Sequence, residues 1–339
     1  MWTFDPNRYG IVREYSPYHS GIKVAVVDTG VKRDHEDLEG VFTSWGVDCF
    51  NHEYVVGVNY GWYRQSDEYR SHGTAVSGII GALTNTTGVP PPPPIGVASC
   101  ASGIKLLPVY VSFEGNSIEK AIRALRFEFQ LTGGNPKERY VRVVNMSLCG
   151  RENEEIAKYD IGCDIEVEHR FYVAAAGNYR PDLGDDDRYG RYYPAAMDNV
   201  MGVTGMDGSV DGDDLAEELR QHVDTHYYNT DAYPASAFYW FSFTPAGGSG
   251  TTTHQSLWSA VIPDDTIGYT GYYDWFGGTS AATPQVAALA ARLFQEAWFL
   301  IPTEENRMLV WNRIVSTTRE PRGQIAGIVD YEAALEGWE

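Results

Sequence analysis

Val24-Ala25-Val26-Val27-Asp28-Thr29-Gly30 is an apolar run that ends in a carboxylate and a turn. Unbroken Val and Ala fit a strand buried on both faces, the kind found in parallel sheets covered by helices. Thr-Gly after the Asp is turn chemistry. In open sheets of this class ligands gather at the carboxyl ends of strands, where Asp28 stands. An Asp that closes a strand also serves as a turn or cap residue, so this segment points to a fold and leaves function open.

Working outward, similar runs occur at residues 22–27, 104–111, 141–147, 171–176 and 200–204, and we expect strands there. Helical patterns fall at 73–83, at 117–130 with Ser117 as N-cap, at 284–299 and at 304–316. Pro284 would sit in a first turn, where its missing N–H costs nothing. Strands alternating with helices give an α/β fold with a mainly parallel central sheet flanked by helices.

The chain has 339 residues, of which 43% are hydrophobic and 21% charged, enough to build a large core. No linker divides it and no repeat of 20–50 residues is present, so one domain spanning residues 1–339 is expected. Loop insertions are expected near 45–70, 90–94 (five prolines), 180–193 (with Asp182, Asp185, Asp186 and Asp187) and 207–250.

A formal net charge of −20 repels phosphate backbones and anionic lipid surfaces, which argues against nucleic-acid and membrane partners. No apolar run approaches the roughly 20 residues of a bilayer span. The start, Met1-Trp2-Thr3-Phe4-Asp5-Pro6, lacks the pattern of a secretory signal. Cys49, Cys100, Cys149 and Cys163 show no CxxC spacing and are expected as free thiols. Together these give a cytoplasmic expectation; the alternative is a secreted protein whose signal and prodomain have been removed.

Three further segments carry candidate chemistry. In Ser71-His72-Gly73-Thr74-Ala75-Val76-Ser77-Gly78 an imidazole opens a helix of small residues that can pack close to the sheet. In Phe276-Gly277-Gly278-Thr279-Ser280-Ala281 a glycine turn presents a hydroxyl at a helix start, where the dipole favours negative charge, or where Ser280 is simply an N-cap. In Val173-Ala174-Ala175-Ala176-Gly177-Asn178 a buried strand ends in an amide that could donate to an oxyanion or serve a turn.

In the order Asp28, His72, Asn178, Ser280 these segments resemble the subtilisin-like serine protease family (subtilases). Val143-Val144-Asn145-Met146-Ser147-Leu148 is similar to that family's substrate-binding strand, and 327–334 to its closing segment. The resemblance implies Ser280 as nucleophile, His72 as general base and acid, Asp28 as the group that orients the imidazole, and Asn178 with the Ser280 N–H as oxyanion donors. It further implies a serine endopeptidase for which a protein or peptide substrate pairs along Ser147, Leu148 and Cys149, with Ala175, Ala176 and Gly177 walling the specificity pocket.

A structural Ca²⁺ site is implied as well, from Asp37, Asn85 and carbonyls of Leu83, Thr87 and Val89, with Asp5 as a further candidate. Cys149 departs from the usual glycine after Ser-Leu, narrowing a subsite and offering a thiol to inhibitors, or else it is a buried small hydrophobe. Tyr192 stands where a small pocket-floor residue is usual. The Asp182–Asp187 cluster could steer basic substrates toward the cleft.

Only 27 residues precede Asp28, so a prodomain, inhibitor or regulatory partner outside this chain is expected to supply any restraint. Two other activities fit the same motifs: peptide macrocyclisation or transpeptidation, if loops exclude water from the acyl-enzyme, and peptide binding without catalysis.

Overall fold

A computed structural model of the chain describes residues 22–43, 46–49, 55–58, 62–63, 71–83, 99–101, 103–111, 141–151, 169–177, 192–195, 197, 199–203, 257–262, 272–297, 303–318 and 329–338. The expected helix at 117–130, the proline run and the 207–250 insertion lie outside these residues.

Strand β1, Lys23–Asp28, is buried along its whole length and forms the centre of a seven-stranded sheet. Along the chain follow β2 (Gly30–Val31), β3 (Gly46–Asp48), β4 (Val55–Val58), β5 (Trp62–Tyr63), β6 (Lys105–Tyr110), β7 (Val141–Met146), β8 (Gly150–Arg151), β9 (Phe171–Ala175), β10 (Tyr192–Tyr193) and β11 (Val200–Val203). The sheet runs β11-β9-β7-β1-β6-β3-β4, with every pairing parallel except β3 with β4. The mainly parallel sheet expected from the Val-rich runs is thus observed. Within the stretch 45–70, where an insertion is expected, β3 and β4 form one edge of the sheet.

Alternation of side chains divides the core in two. On one face Val24, Val26, Val143, Phe171, Val173 and Val203 pack with helix α1 (His72–Gly81) and helix α2 (Thr279–Glu296). The other buries Ala25, Val27, Leu107, Val109, Val144, Met146, Tyr172 and Ala174. Each fully buried Val or Leu contributes roughly 1.5–3 kcal/mol relative to exposure. Helix α1 has no polar stripe, because it is enclosed between the sheet, α2 and strand β12 (Leu257–Ala260). Strand β12 pairs antiparallel with β13 (Tyr273–Phe276), which runs straight into α2.

Helix α2 begins five residues before Pro284, so Pro284 lies in the helix interior and not in the first turn as the sequence suggests. Thr279, Ala281, Ala282 and Thr283 are small and buried against α1 and the sheet, and that burial overrides the proline signal. Helix α3 (Glu304–Ser316) has the expected bounds; its N-cap Thr303 accepts from the Asn306 N–H and its first turn holds Glu304 and Glu305. Helix α4 (Tyr331–Leu335) is tied to α2 by Tyr331, whose hydroxyl donates to the Gln285 carbonyl.

Candidate active site

Asp28 ends β1 and His72 opens α1, and the topology brings the two together. The His72 Nδ1 donates to Asp28 Oδ1 over 2.7 Å. Asp28 is 1% exposed and the His72 side chain 12%, so the carboxylate is withdrawn from water while the imidazole keeps an accessible edge. The same Oδ1 accepts from the Thr29 N–H at 2.8 Å and the Thr29 hydroxyl at 3.2 Å. That hydroxyl in turn accepts from the Gly73 N–H at 3.3 Å, which links the start of the helix to the end of the strand.

With Nδ1 carrying the proton toward Asp28, the lone pair of the imidazole lies on Nε2. A Cβ at Gly73 would stand 2.2 Å from the Gly30 carbonyl oxygen and 3.1 Å from Asp28 Oδ1, so only glycine allows this approach. Phe276 crosses the imidazole edge to face, with ring centroids 5.0 Å apart and planes at 83°. Ser71, at the N-cap position of α1, makes no capping bond; its hydroxyl donates to the Ile262 carbonyl and accepts from the Ile262 N–H at 2.9 Å, fastening α1 to the segment after β12.

Ser280 is the second residue of α2, behind Gly278 at φ 79°, a conformation that favours glycine. Gly278 occupies the N-cap position, so Ser280 is not the cap. Its N–H belongs to the first turn and has no intrahelical acceptor. Its hydroxyl donates to the Ser147 carbonyl over 3.0 Å, which sets the nucleophile candidate beside the expected substrate strand. Asp28, His72, Ser280 and Ser147 therefore share one end of the sheet.

Of the expected substrate residues, Ser147 and Leu148 are buried and Cys149 is exposed. Although the residue as a whole meets solvent, packed protein around its sulfur desolvates the thiolate and pushes the thiol up to about 11. Ala175, Ala176 and Gly177 are buried at the end of β9, next to β7 in the sheet. Asn178 and the Asp182–Asp187 cluster lie outside the described residues. Tyr192 pairs with Arg151 across the short β8–β10 ladder.

Two residues of the implied calcium set are brought together: the Leu83 N–H donates to the Asp37 carbonyl over 2.7 Å. The Asp37 side chain is buried and near the Tyr273 hydroxyl, which donates to Glu36 Oε1 at 2.7 Å; burial and these two acids push that hydroxyl well above its ordinary value. Asn85, Thr87, Val89 and Asp5 lie outside the described residues. Among the described residues no group of three or more His, Cys, Asp or Glu converges on a metal position.

Several contacts were not marked by the sequence reading. His35 is fully buried; its Nδ1 accepts from the Asp37 N–H at 3.2 Å and its Nε2 donates to the Tyr272 carbonyl at 2.8 Å, which defines a neutral structural histidine. Asn145 stands in a buried strand with its amide nitrogen 3.0 Å from the Ser147 hydroxyl. A polar side chain inside an apolar strand is the signal that could have singled it out.

The Subtilase family profile matches residues 19–326. The chain belongs to the subtilase family. It is 27% identical to fervidolysin from Fervidobacterium pennivorans over 336 residues, covering 94% of this chain and 41% of that protein. To subtilisin E from Bacillus subtilis it is 28% identical, covering 82% of this chain and 56% of the relative. The chain thus spans about two fifths to three fifths of the length of these relatives.

Among solved structures, the epidermin leader peptide processing serine protease from Staphylococcus aureus superposes with a TM-score of 0.61 at 18% identity, covering 95% of this chain and 77% of that one. The nisin leader peptidase from Lactococcus lactis gives 0.61 at 18%, covering 96% and 89%. At these identities the likeness is one of fold, and it agrees with the α/β architecture, a mainly parallel central sheet flanked by helices, expected from the sequence.

Proposed function

We propose that the chain hydrolyses peptide bonds through an acyl-enzyme on Ser280. The observation that carries this reading is the part-buried 2.7 Å bond from His72 Nδ1 to Asp28, which leaves the basic lone pair on Nε2, at the end of the sheet where Ser280 opens α2. A serine hydroxyl is a weak nucleophile until such a base takes its proton. The Ser280 hydroxyl leaves the Ser147 carbonyl, gives its proton to His72 Nε2 and attacks the substrate carbonyl. Asp28 stabilises the imidazolium that forms.

The tetrahedral oxyanion is held by the first-turn N–H of Ser280 and the amide of Asn178. His72 then protonates the leaving amine, and water repeats the cycle to release the acid. A peptide substrate pairs as an added strand along Ser147, Leu148 and Cys149, with Ala175, Ala176 and Gly177 beside its side chain. A Ca²⁺ ion would be held by Asp37, the Leu83 carbonyl, Asn85 and the carbonyls of Thr87 and Val89, with Asp5 as a further ligand. The donors are hard oxygens, and the ion's contribution would be to stiffen the loop after α1. Substrate profiling of the wild type beside Ser280→Ala tests this reading: loss of all cleavage in the variant supports it, and retained cleavage contradicts it.

A further inference from the structure

Strand β13 joins the candidate base and the candidate nucleophile on one held segment. Its last residue, Phe276, sets its ring edge to face on the His72 imidazole, with centroids 5.0 Å apart and planes at 83°, and the chain then turns through Gly277 and Gly278 to reach Ser280. Backbone pairing with β12 runs from Ala260↔Tyr273 to Leu257↔Phe276. At the other end of the strand His35, fully buried, donates from Nε2 to the Tyr272 carbonyl at 2.8 Å. The same imidazole meets the rings of Tyr272 and Tyr273 edge to face, with centroids 5.6 and 5.2 Å away, and the Tyr273 hydroxyl donates to Glu36 Oε1 at 2.7 Å. Both anchors belong to the segment that follows Asp28, so β13 is tied to the stretch of chain that bears the triad carboxylate.

The imidazole of His72 needs a support of this kind. The torsion that turns a histidine ring is broad, and a single hydrogen bond tolerates a range of angles, so the bond from Nδ1 to Asp28 fixes where the ring is held but not its plane. A second ring set nearly at right angles removes that freedom. The imidazole cannot turn toward Phe276 without driving into it, and turning away gives up the contact. Phe276 is itself half-buried and rests on the apolar core beside α1 and α2, so packing sets its position.

We propose that Phe276 is a positioning residue for the reaction: its ring holds the plane of His72 so that Nε2 faces the Ser280 hydroxyl, and His35, through Tyr272 and Tyr273, holds the strand that carries it. This inference rests on the triad reading above, and the two fail separately. Wild-type protein that takes up no fluorophosphonate removes the triad, whereas the present claim is judged on variants beside a wild type that labels on Ser280.

The test compares wild type with Phe276→Leu, Phe276→Tyr, His35→Asn and the double variant of Phe276→Leu with His35→Asn, measuring kcat and KM for a peptide substrate and the rate of fluorophosphonate labelling. All rates are taken per labelled active site, so protein that fails to fold does not enter them. Leu keeps apolar volume but has no ring plane. Phe276→Leu is expected to lower kcat about three- to tenfold, the rate equivalent of an edge-to-face ring pair, with KM within about twofold. Labelling slows by the same factor, and because the probe carries no peptide, that loss does not arise from substrate binding. Phe276→Tyr, which keeps the ring, restores kcat to within about twofold of wild type. His35→Asn leaves an amide oxygen for the Asp37 N–H but no donor that reaches the Tyr272 carbonyl. Its kcat falls by no more than that of Phe276→Leu, with KM unchanged, and the double variant is no worse than Phe276→Leu, because both act through one contact.

A Phe276→Leu variant that labels at the wild-type rate, or whose loss lies in KM alone, makes Phe276 a wall for substrate and overturns the proposal. Equal losses in Phe276→Tyr, losses that multiply in the double variant, or wild-type kcat in His35→Asn would do the same.

Discussion

The backbone at Gly73 passes so close to Gly30 that a single added carbon would stand 2.2 Å from the Gly30 carbonyl oxygen. This contact locks the first turn of α1 onto the turn after β1, and with it the imidazole onto the carboxylate. Because the obstruction is backbone, no side-chain rotation relieves it. Gly73→Ala is expected to cost at least about 2–3 kcal/mol of stability and to separate His72 from Asp28. Thermal unfolding together with fluorophosphonate labelling checks this; a variant with wild-type melting and wild-type labelling rate would refute it.

Asp28→Asn removes the charge that faces the imidazolium and lets the side chain present an N–H to Nδ1, which favours the wrong tautomer. A loss of about 10⁴ in kcat is the magnitude of the corresponding change in the serine protease triad. Steady-state kinetics with a peptide substrate measures it, with KM expected to change little. A loss of less than about tenfold would mean that Asp28 is a turn residue.

Cys149 gives a pH-dependent outcome. Its thiol is pushed up to about 11 by desolvation, so at neutral pH the thiolate fraction is smaller than in an ordinary cysteine. Alkylation by iodoacetamide, followed by mass analysis of the Cys149 peptide, should be slow at pH 7 and rise about tenfold per pH unit toward that value. A plateau near the ordinary thiol value of about 8.5 would contradict the assignment.

Calcium is tested by stability. If Asp37, Leu83 and the loop after them hold Ca²⁺, excess chelator lowers the melting temperature and added Ca²⁺ restores it, and Asp37→Asn reduces both responses. Identical melting curves with and without chelator would remove the ion from the account.

Much of this arrangement was legible in the sequence, for physical reasons. The strands at 23–28, 105–110, 141–146, 171–175 and 200–203 read clearly because both of their faces are buried and their composition is correspondingly uniform. Asp28, His72 and Ser280 were marked by the motifs around them. The short strands β2 to β5 were not legible, since two to four residues carry no periodicity and their pairing is decided by partners distant in sequence. The start of α2 was misread because Pro284 suggested a first turn, while the burial of Thr279, Ala281, Ala282 and Thr283 that overrides it is a tertiary fact. The role of Ser71 carried no sequence signal, because its hydroxyl serves Ile262, 191 residues away. His35 looked like any other histidine, because both of its partners are backbone groups that no motif records.

The central claim is that Ser280, activated by His72, is the nucleophile. Reaction of the intact protein with a fluorophosphonate, read by mass and by peptide mapping beside Ser280→Ala, tests it most directly. One adduct on Ser280 in the wild type and none in the variant is the predicted result. A wild-type protein that takes up no label from pH 6 to 9 with Ca²⁺ present, or a variant that labels equally, would contradict it.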